Sequence, residues 1–140
     1  MENMAAKVTA AYFGTQDLHY ERVGEDGEAL VCGFAMKNLE GVRMLLVFDE
    51  NSEGVKIRTI NYVKVPEEKK AKVYKTCSEL NSNFRWAKFY VDEEENSVVV
   101  QDDAVIQLDS CGQEVFRCCL QLVGIADLAY PMLMKAIFSE

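Results

Sequence analysis

Two spacings of apolar residues divide the chain into predicted helices and strands. Near the start, five residues recur at helical spacing and predict a short amphipathic helix that stops at Gly14: Met4, Ala5, Val8, Ala11 and Tyr12. Four runs of alternating apolar and polar residues come next: Asp17–Val23, Glu28–Met36, Arg43–Asp49 and Val55–Val63. Tight turns separate them, so this part of the chain is predicted to form an antiparallel meander.

A second helix and a second hairpin follow the meander. Pro66 opens the helix, and the apolar stripe of that helix ends at Leu80. Strands are predicted over Phe84–Asp92 and Ser97–Leu108. The second of these strands is interrupted by Asp102-Asp103, where a bulge or a break is expected.

A long apolar stripe predicts the last helix. Ser110 and Gln113 have the spacing of a capping box at its start, and the stripe continues to Ile137. Pro131 lies inside this pattern and has no backbone N–H, so a kink or a split is expected near Asp127–Tyr130. The complete order is α-β-β-β-β-α-β-β-α, which predicts an α+β fold built on an antiparallel sheet.

Composition and charge limit the classes of partner. A chain of 140 residues with 49% apolar and 27% charged residues is expected to form one domain, over residues 1–140. The net charge is −8, and the sequence predicts no positively charged surface that would bind a phosphate backbone. Neither nucleic acid nor an anionic membrane surface is therefore an expected partner.

Cysteine usage and the N-terminal sequence indicate the compartment. The five cysteines are an odd number and include no Cys-x-x-Cys pair, and the first residues are acidic where a signal peptide is basic. No apolar run approaches the roughly 18 residues of a membrane span. The chain is thus predicted to be cytoplasmic, with reduced thiols.

No combination of side chains predicts a metal or cofactor site. His19, the only histidine, shares a predicted strand face with Asp17 and Glu21, but one nitrogen ligand without a nearby thiol is a poor metal set. A solvent-facing strand explains these residues better. The run Asp49–Gly54 imitates the start of a calcium loop, yet Ile60 stands where the loop requires its twelfth-position acid.

The cysteines and the paired acids are the candidates for catalytic groups. Cys119 falls on the apolar stripe of the last helix and Cys118 at its margin, so both are interpreted as small hydrophobes. Cys111, near the start of that helix, is the thiol to test first for reactivity, because a helix dipole lowers the pKa of a thiol there. Neighbouring acids such as Asp102 and Asp103 point to opposite faces of a strand. The sequence therefore predicts no catalytic residue and no enzyme.

The strand predicted over Phe84–Asp92 is apolar on both faces. Phe84, Trp86 and Tyr90 share one of these faces, whereas a sheet covered by helices on one side should alternate apolar with polar residues. Two interpretations remain open. This aromatic face is covered by a partner, either a second copy or a client segment, or the strand is central and is buried within the monomer.

Short motifs in the second half of the chain carry a family resemblance. They are Leu80-Asn81, Ala87–Asp92, Ser97–Val100 and Ala126–Leu133. Together with the element order, they resemble the YbjN-like family of bacterial proteins. The resemblance implies the fold of type III secretion chaperones, in which helices cover one side of an antiparallel sheet, often within a dimer. The family is labelled as a sensory transduction regulator, which implies binding or regulation and carries over no catalytic residue.

The predicted function is binding. The chain is expected to be a cytoplasmic regulatory protein that acts through protein–protein contacts, as a homodimer and with a possible protein or peptide client. No cofactor is expected. The alternative, from a different class, is a small-ligand sensor with a pocket between the sheet and the helices.

Overall fold

The computed structural model describes all 140 residues, Met1–Glu140. Three helices cover one antiparallel sheet of seven strands. The helices are α1 (Met4–Thr15), α2 (Lys70–Asn83, preceded by a 3₁₀ turn at Glu67–Lys69) and α3 (Cys111–Phe138). The strands are β1 (Tyr20–Val23), β2 (Ala29–Phe34), β3 (Val42–Phe48), β4 (Gly54–Ile60), β5 (Val63–Lys64), β6 (Lys88–Asp92) and β7 (Ser97–Val105). The α+β class and the predicted order are confirmed.

Every pair of neighbouring strands in the sheet is antiparallel. The first four strands form the predicted meander, and β7 joins the free side of β4. The short strand β5 pairs with β7 on that same side, and β6 pairs with the opposite side of β7. The predicted strand Val55–Val63 is thus interrupted, because Asn61 adopts a left-handed φ of 52° between β4 and β5.

One face of the sheet, here called the covered face, packs against the helices. Its side chains alternate with exposed ones along each strand, and the fully or nearly fully buried members include Leu30, Cys32, Met44, Leu46, Ile57, Phe89, Val98 and Val100. Burying one such large apolar side chain contributes about 1.5–3 kcal/mol to stability. The opposite, open face carries exposed charged residues such as Arg43, Lys56 and Lys88.

The buried stripe of α1 differs from the predicted one. Ala5, Ala6, Thr9, Ala10 and Phe13 are buried, whereas Met4 and Ala11 are exposed and Val8 and Tyr12 are half-buried. The correction has a packing cause, since small residues let α1 lie close to α3. At Gly112 of α3, an added Cβ would lie 2.5 Å from the Cβ of Tyr12.

Helix α3 is continuous, so the predicted split near Asp127–Tyr130 did not occur. Pro131 cannot donate to the carbonyl of Asp127 four residues earlier. The side-chain amide of Asn38, in the loop between β2 and β3, donates to that carbonyl at 3.0 Å instead. The backbone N–H groups of Lys37 and Asn38 donate to the Asp127 carboxylate at 3.0 and 2.8 Å. These bonds hold the pKa of Asp127 below its usual value.

The predicted bulge at Asp102-Asp103 is also absent. The register of β7 with β4 runs without interruption from Gly54 opposite Val105 to Arg58 opposite Gln101. Asp102 instead turns its carboxyl onto the covered face, where only 8% of the residue is exposed. Burial, with a smaller contribution from Asp103, raises its pKa to about 6.

By length and composition α3 could cross a membrane, contrary to the expectation that no apolar run approaches a span. A core helix of a soluble protein has the same properties. Here ten residues of α3 are buried within the fold, including Val115, Leu122, Ala126 and Leu133. In this structure α3 packs as a core helix.

Candidate partner-binding surface

The connection from α2 to β6 positions the aromatic residues singled out in the sequence. The N–H of Phe84 donates to the carbonyl of Leu80 and closes the last turn of α2. Three residues later, Ala87 is fully buried and begins the alternation that continues into β6. The chain therefore has only Arg85 and Trp86 with which to turn from the helix into the strand.

Trp86 occupies the apex of this turn. Its φ is 74°, and the N–H of Ala87 donates to the carbonyl of Arg85 at 2.8 Å across it. A bond between residues two apart around a positive φ is a γ-turn of the rare, strained kind. A non-glycine residue in such a conformation costs about 1–3 kcal/mol and persists only when its surroundings impose it.

The structure separates the three aromatic residues that were predicted to share a face. Phe84 is half-buried on the covered side, with its ring centroid 6.3 Å from that of Phe89. Trp86 is 56% exposed and Tyr90 is 39% exposed. Exposed positions 86, 88 and 90 alternate with the buried positions 87 and 89, and we call this set, Trp86, Lys88 and Tyr90, the Trp86–Tyr90 surface.

The position of β6 in the sheet bears on the two open interpretations. This strand pairs only with β7, so it is an edge strand and not a central one. The open face is partly buried inside the monomer. Val99, which lies opposite Tyr90 in register, is only 1% exposed. The indole of Trp86 and the ring of Tyr90 nevertheless remain accessible to solvent.

Polar contacts orient both exposed rings. The guanidinium of Arg85 lies 4.5 Å from the centroid of the Trp86 ring, a cation–π distance. The Tyr90 hydroxyl donates to Gln101 at 2.8 Å, and the Gln101 amide donates to Asp103 at 3.1 Å. Partial burial is the main cause that raises the pKa of Tyr90, so its hydroxyl stays protonated at neutral pH.

The outer edge of β6 is closed by a side chain from α2. Asn81 accepts a hydrogen bond from the N–H of Phe89 at 2.7 Å and donates to the carbonyl of the same residue at 3.0 Å. The amide thereby imitates a neighbouring strand and blocks pairing at this point. Sequence reasoning missed this role, because a polar residue near a helix end has no periodic signal.

The structure does not bring His19, Asp17 and Glu21 together as a metal site. His19 is exposed, Asp17 lies in a turn with a φ of 55°, and β1 begins only at Tyr20. No group of three or more His, Cys, Asp or Glu side chains could hold a metal ion. The run Asp49–Gly54 is the turn between β3 and β4, as its strand flanks indicated.

The thiols are mostly buried. Cys111 begins α3 but is fully buried, and its sulfur lies 3.7 Å from the carbonyl of Ala5. Cys119 is buried and Cys118 is half-buried, as predicted. Burial raises the pKa of Cys118, and a hydrogen bond with Cys32 together with burial raises that of Cys119. Raised pKa values disfavour the reactive thiolate.

The larger cavities lie at the surface. They are lined by the Asp49–Asn51 turn, by the N-terminal residues around Met1, by the paired ends of β4 and β7, and by facing residues of α2 and α3. One cavity around Met1 reaches Met4 of α1 and Phe48 at the end of β3, and none of the other four is lined by both a helix and the sheet, where the ligand-sensor alternative requires a pocket.

Solved structures with the same fold support a common architecture. The chain is similar to YbjN of E. coli, described as a putative transcription regulator, at 13% identity and a TM-score of 0.64, over 90% of this chain and 91% of that one. The ExsC–ExsE complex matches at 14% identity and a TM-score of 0.59 over 100% of each chain. The HopA1–SchA chaperone–effector complex matches at 9% and 0.51, over 88% and 93%.

The sequence itself matches a family model over most of its length. No curated protein matches it significantly. Residues 10–126 match the YbjN model, described as "Putative bacterial sensory transduction regulator". This range includes three motifs of the resemblance, Leu80-Asn81, Ala87–Asp92 and Ser97–Val100, and reaches only the first residue of the fourth, Ala126–Leu133. The chain belongs to the YbjN family.

Proposed function

We propose that this protein is a non-enzymatic bacterial regulator that acts in the cytoplasm by binding a protein partner through the Trp86–Tyr90 surface. The observation that carries the proposal is the conformation of Trp86. The only tryptophan of the chain is 56% exposed and stands on a strained γ-turn. Strain of this kind concentrates at functional sites.

The chemistry of the surface suits a protein contact. Tryptophan and tyrosine bury large apolar areas at low conformational cost and are enriched among the residues that dominate binding energies. Lys88, exposed between them, adds a charge at the rim. A partner that covers both rings would remove from water an aromatic area that the monomer leaves exposed.

The fold relatives support a protein as the partner. ExsC is found in a complex with ExsE, and SchA with the effector HopA1. For this chain the occupant of the surface is either a second copy, which would make a homodimer, or a client segment. Residues 1–140 would act as one domain in either case.

Two other classes of function have less support. Catalysis would need an activated nucleophile, yet the thiols of Cys118 and Cys119 have raised pKa values and the only histidine, His19, is exposed on the chain before β1. A small-ligand sensor has less support, because only one cavity around Met1 is lined by both a helix and the sheet, and it lies at the end of the sheet.

Native mass spectrometry of the tagged protein recovered from a lysate of its host tests the proposal. We expect a dimer, a bound polypeptide, or both, and we expect Trp86→Ala with Tyr90→Ala to lose them while remaining folded. Tyr74→Ala is the matched control, since it removes a 45% exposed aromatic ring from α2. Unchanged assembly and capture in the double variant would end the proposal, and a small molecule released on denaturation would favour the sensor.

A further inference from the structure

A second surface, between α2 and the C-terminal half of α3, has a different chemistry. The two helices run antiparallel here, and the groove between them has a volume of about 350 Å³. The floor includes Ala136, which is 9% exposed, and the exposed Met132 forms one rim. The other lining residues are polar or charged: Lys72, Lys75, Thr76, Glu79, Lys135 and Ser139. We call this feature the lysine groove.

The groove is basic in a protein that is acidic overall. Three lysines and one glutamate line it, whereas the whole chain carries a net charge of −8. None of the lysines Lys72, Lys75 and Lys135 takes part in an ion pair. Lys70, two residues before Lys72, contrasts with them because it pairs with both Glu67 and Glu93. The groove thus keeps positive charge that the chain does not neutralise.

One lysine of the groove has an intramolecular role and two do not. The ammonium group of Lys72 donates to the carbonyl of Ser139 at 3.2 Å, where α3 ends, and Lys69 donates to the same carbonyl. The side chains of Lys75 and Lys135 make no hydrogen bond within the chain, and both residues are exposed. Their charges are therefore available to a carboxylate that enters the groove.

The groove continues into an apolar line along α3. Leu120, Gly124, Leu128 and Met132 follow one another at four-residue spacing, and all four are exposed. Between Arg117 and Lys135 the only charged residue of α3 is Asp127, which is half-buried and accepts hydrogen bonds from Lys37 and Asn38. An added Cβ at Gly124 would meet nothing within 4 Å, so internal packing does not require glycine there. A glycine in a helix interior lowers helix stability by about 1 kcal/mol relative to alanine.

We propose that the lysine groove and the apolar line bind an acidic amphipathic segment of a protein partner. Its carboxylates would lie against Lys72, Lys75 and Lys135, and its apolar side chains against Met132, Leu128 and the surface beside Gly124. Charge complementarity selects this occupant over an apolar one. Nucleic acid fits less well, because the net charge of −8 repels a long phosphate backbone. The inference rests on the proposed function, since it presumes a protein partner, but it concerns a different surface.

A labelled peptide tests the charge requirement directly. The probe is a fluorescein-labelled helical peptide of about 20 residues, with leucine at four-residue spacing and glutamate and alanine elsewhere. A helix of this length spans about 30 Å, long enough to cover the groove and the line. Fluorescence anisotropy should show saturable binding that weakens as salt rises. The same peptide with glutamine in place of glutamate should bind about tenfold more weakly.

Charge-reversal variants assign the binding to the groove. Lys75→Glu with Lys135→Glu should weaken binding of the acidic peptide about tenfold or more. Lys56→Glu with Lys64→Glu makes the same charge change on exposed residues of β4 and β5 and should change the dissociation constant by less than about twofold. Equal losses in the two double variants, equal binding of the glutamine peptide, or no binding would overturn the proposal.

Two further outcomes would show that a molecule other than an acidic segment occupies this surface. Tighter binding of an oligothymidylate than of the acidic peptide would make the groove a nucleic-acid site. A wild-type dimer that Leu128→Asp converts to a folded monomer would show that a second copy covers the apolar line. A polypeptide partner lost with Trp86→Ala and Tyr90→Ala but retained by Lys75→Glu with Lys135→Glu would overturn the groove proposal and leave the proposed function standing.

Discussion

Single polar side chains complete backbone hydrogen bonding where the regular elements leave it open. Asn38 donates to the carbonyl that Pro131 leaves without an intrahelical donor, and Asn81 pairs with both backbone groups of Phe89. Each replaces a bond that a helix or a neighbouring strand would otherwise supply. Pro131 is therefore compatible with an unbroken α3, and the loop between β2 and β3 is tied to that helix.

Removing the Asn38 side chain tests whether its amide takes the place of the backbone N–H that Pro131 lacks. Asn38→Ala should lower the free energy of unfolding by about 1 kcal/mol. In a Pro131→Ala background residue 131 regains its N–H, so the same change should cost about half as much or less. Urea unfolding of the two single variants and the double variant gives the coupling free energy between Asn38 and Pro131. Lys37→Ala is the control, because it keeps the backbone hydrogen bond to Asp127 and removes only a side-chain charge near that carboxylate. Additive effects at Asn38 and Pro131 would contradict the account.

Asp102 predicts a pH dependence of stability. Its folded-state pKa of about 6 lies above the value of about 3.9 expected in the unfolded chain. Folding therefore favours the protonated form, so stability should fall as pH rises from about 4 through about 6 and should level off above that. Asp102→Asn should be more stable than the wild type at pH 7.5 by about 3 kcal/mol and close to it near pH 4.

Urea unfolding at the two pH values measures this difference. Asp103→Asn is the matched control, because the neighbouring carboxyl points to the open face and is exposed. The difference in free energy of unfolding between Asp103→Asn and the wild type should change much less between the two pH values. A pH-independent effect of Asp102→Asn would show that the carboxyl is not held in a desolvated site.

The helices and strands themselves were largely predictable. Alternation located all the strands of the meander and of the second hairpin, because burial on one face of a sheet imposes a period of two. The interruptions were not predictable: Asp102-Asp103 looked like a break but lies in a regular strand, whereas Asn61 breaks the predicted fourth strand. Local sequence does not reveal which polar residue the sheet will bury.

The candidate site was predictable only in part. The unusual aromatic content of Phe84–Asp92 pointed to Trp86 and Tyr90, but strict alternation also placed Phe84 with them. The γ-turn at Trp86 breaks that alternation, and Phe84 packs near Phe89 on the covered side. A single strained residue has no signature in an apolar pattern, so its consequence could be read only from the structure.

The edge of β6 gives a prediction about Asn81. Asn81→Ala would leave both backbone groups of Phe89 without a partner, so we expect a loss of about 1–2 kcal/mol in the free energy of unfolding. The amide proton of Phe89 should exchange with solvent faster in this variant. Asn83→Ala, at the exposed end of α2, is the control. Unchanged exchange at Phe89 would mean that Asn81 does not protect this edge.

Two glycines of α3 should respond in opposite ways to the same substitution. Gly124→Ala adds a methyl group in open space and should raise the free energy of unfolding by about 1 kcal/mol. Gly112→Ala would place a Cβ 2.5 Å from that of Tyr12, in the contact between α1 and α3, and should lower stability. Thermal unfolding of both variants checks this contrast, and a destabilising Gly124→Ala would contradict it.

For the molecule as a whole, the surface says more about function than the core does. The helices bury one face of the sheet, while the acidic chain keeps exposed aromatic rings at Trp86 and Tyr90 and an unpaired basic groove at Lys75 and Lys135. Neither feature contributes to the core, and both are suited to protein contacts. The sequence predicted the fold because core packing sets the apolar pattern. It did not reveal the groove, which forms only when α2 and α3 meet.

The most direct test of a protein-binding surface at Trp86 uses the single tryptophan as a reporter. Incorporating 5-fluorotryptophan gives one ¹⁹F resonance, from position 86, whatever the partner contains. We expect this resonance to shift, and its sensitivity to exchange of H₂O for D₂O to fall, when the recovered partner polypeptide is added or when the protein dimerises. If the protein associates while this resonance and its solvent sensitivity stay unchanged, the surface at Trp86 is not the binding surface.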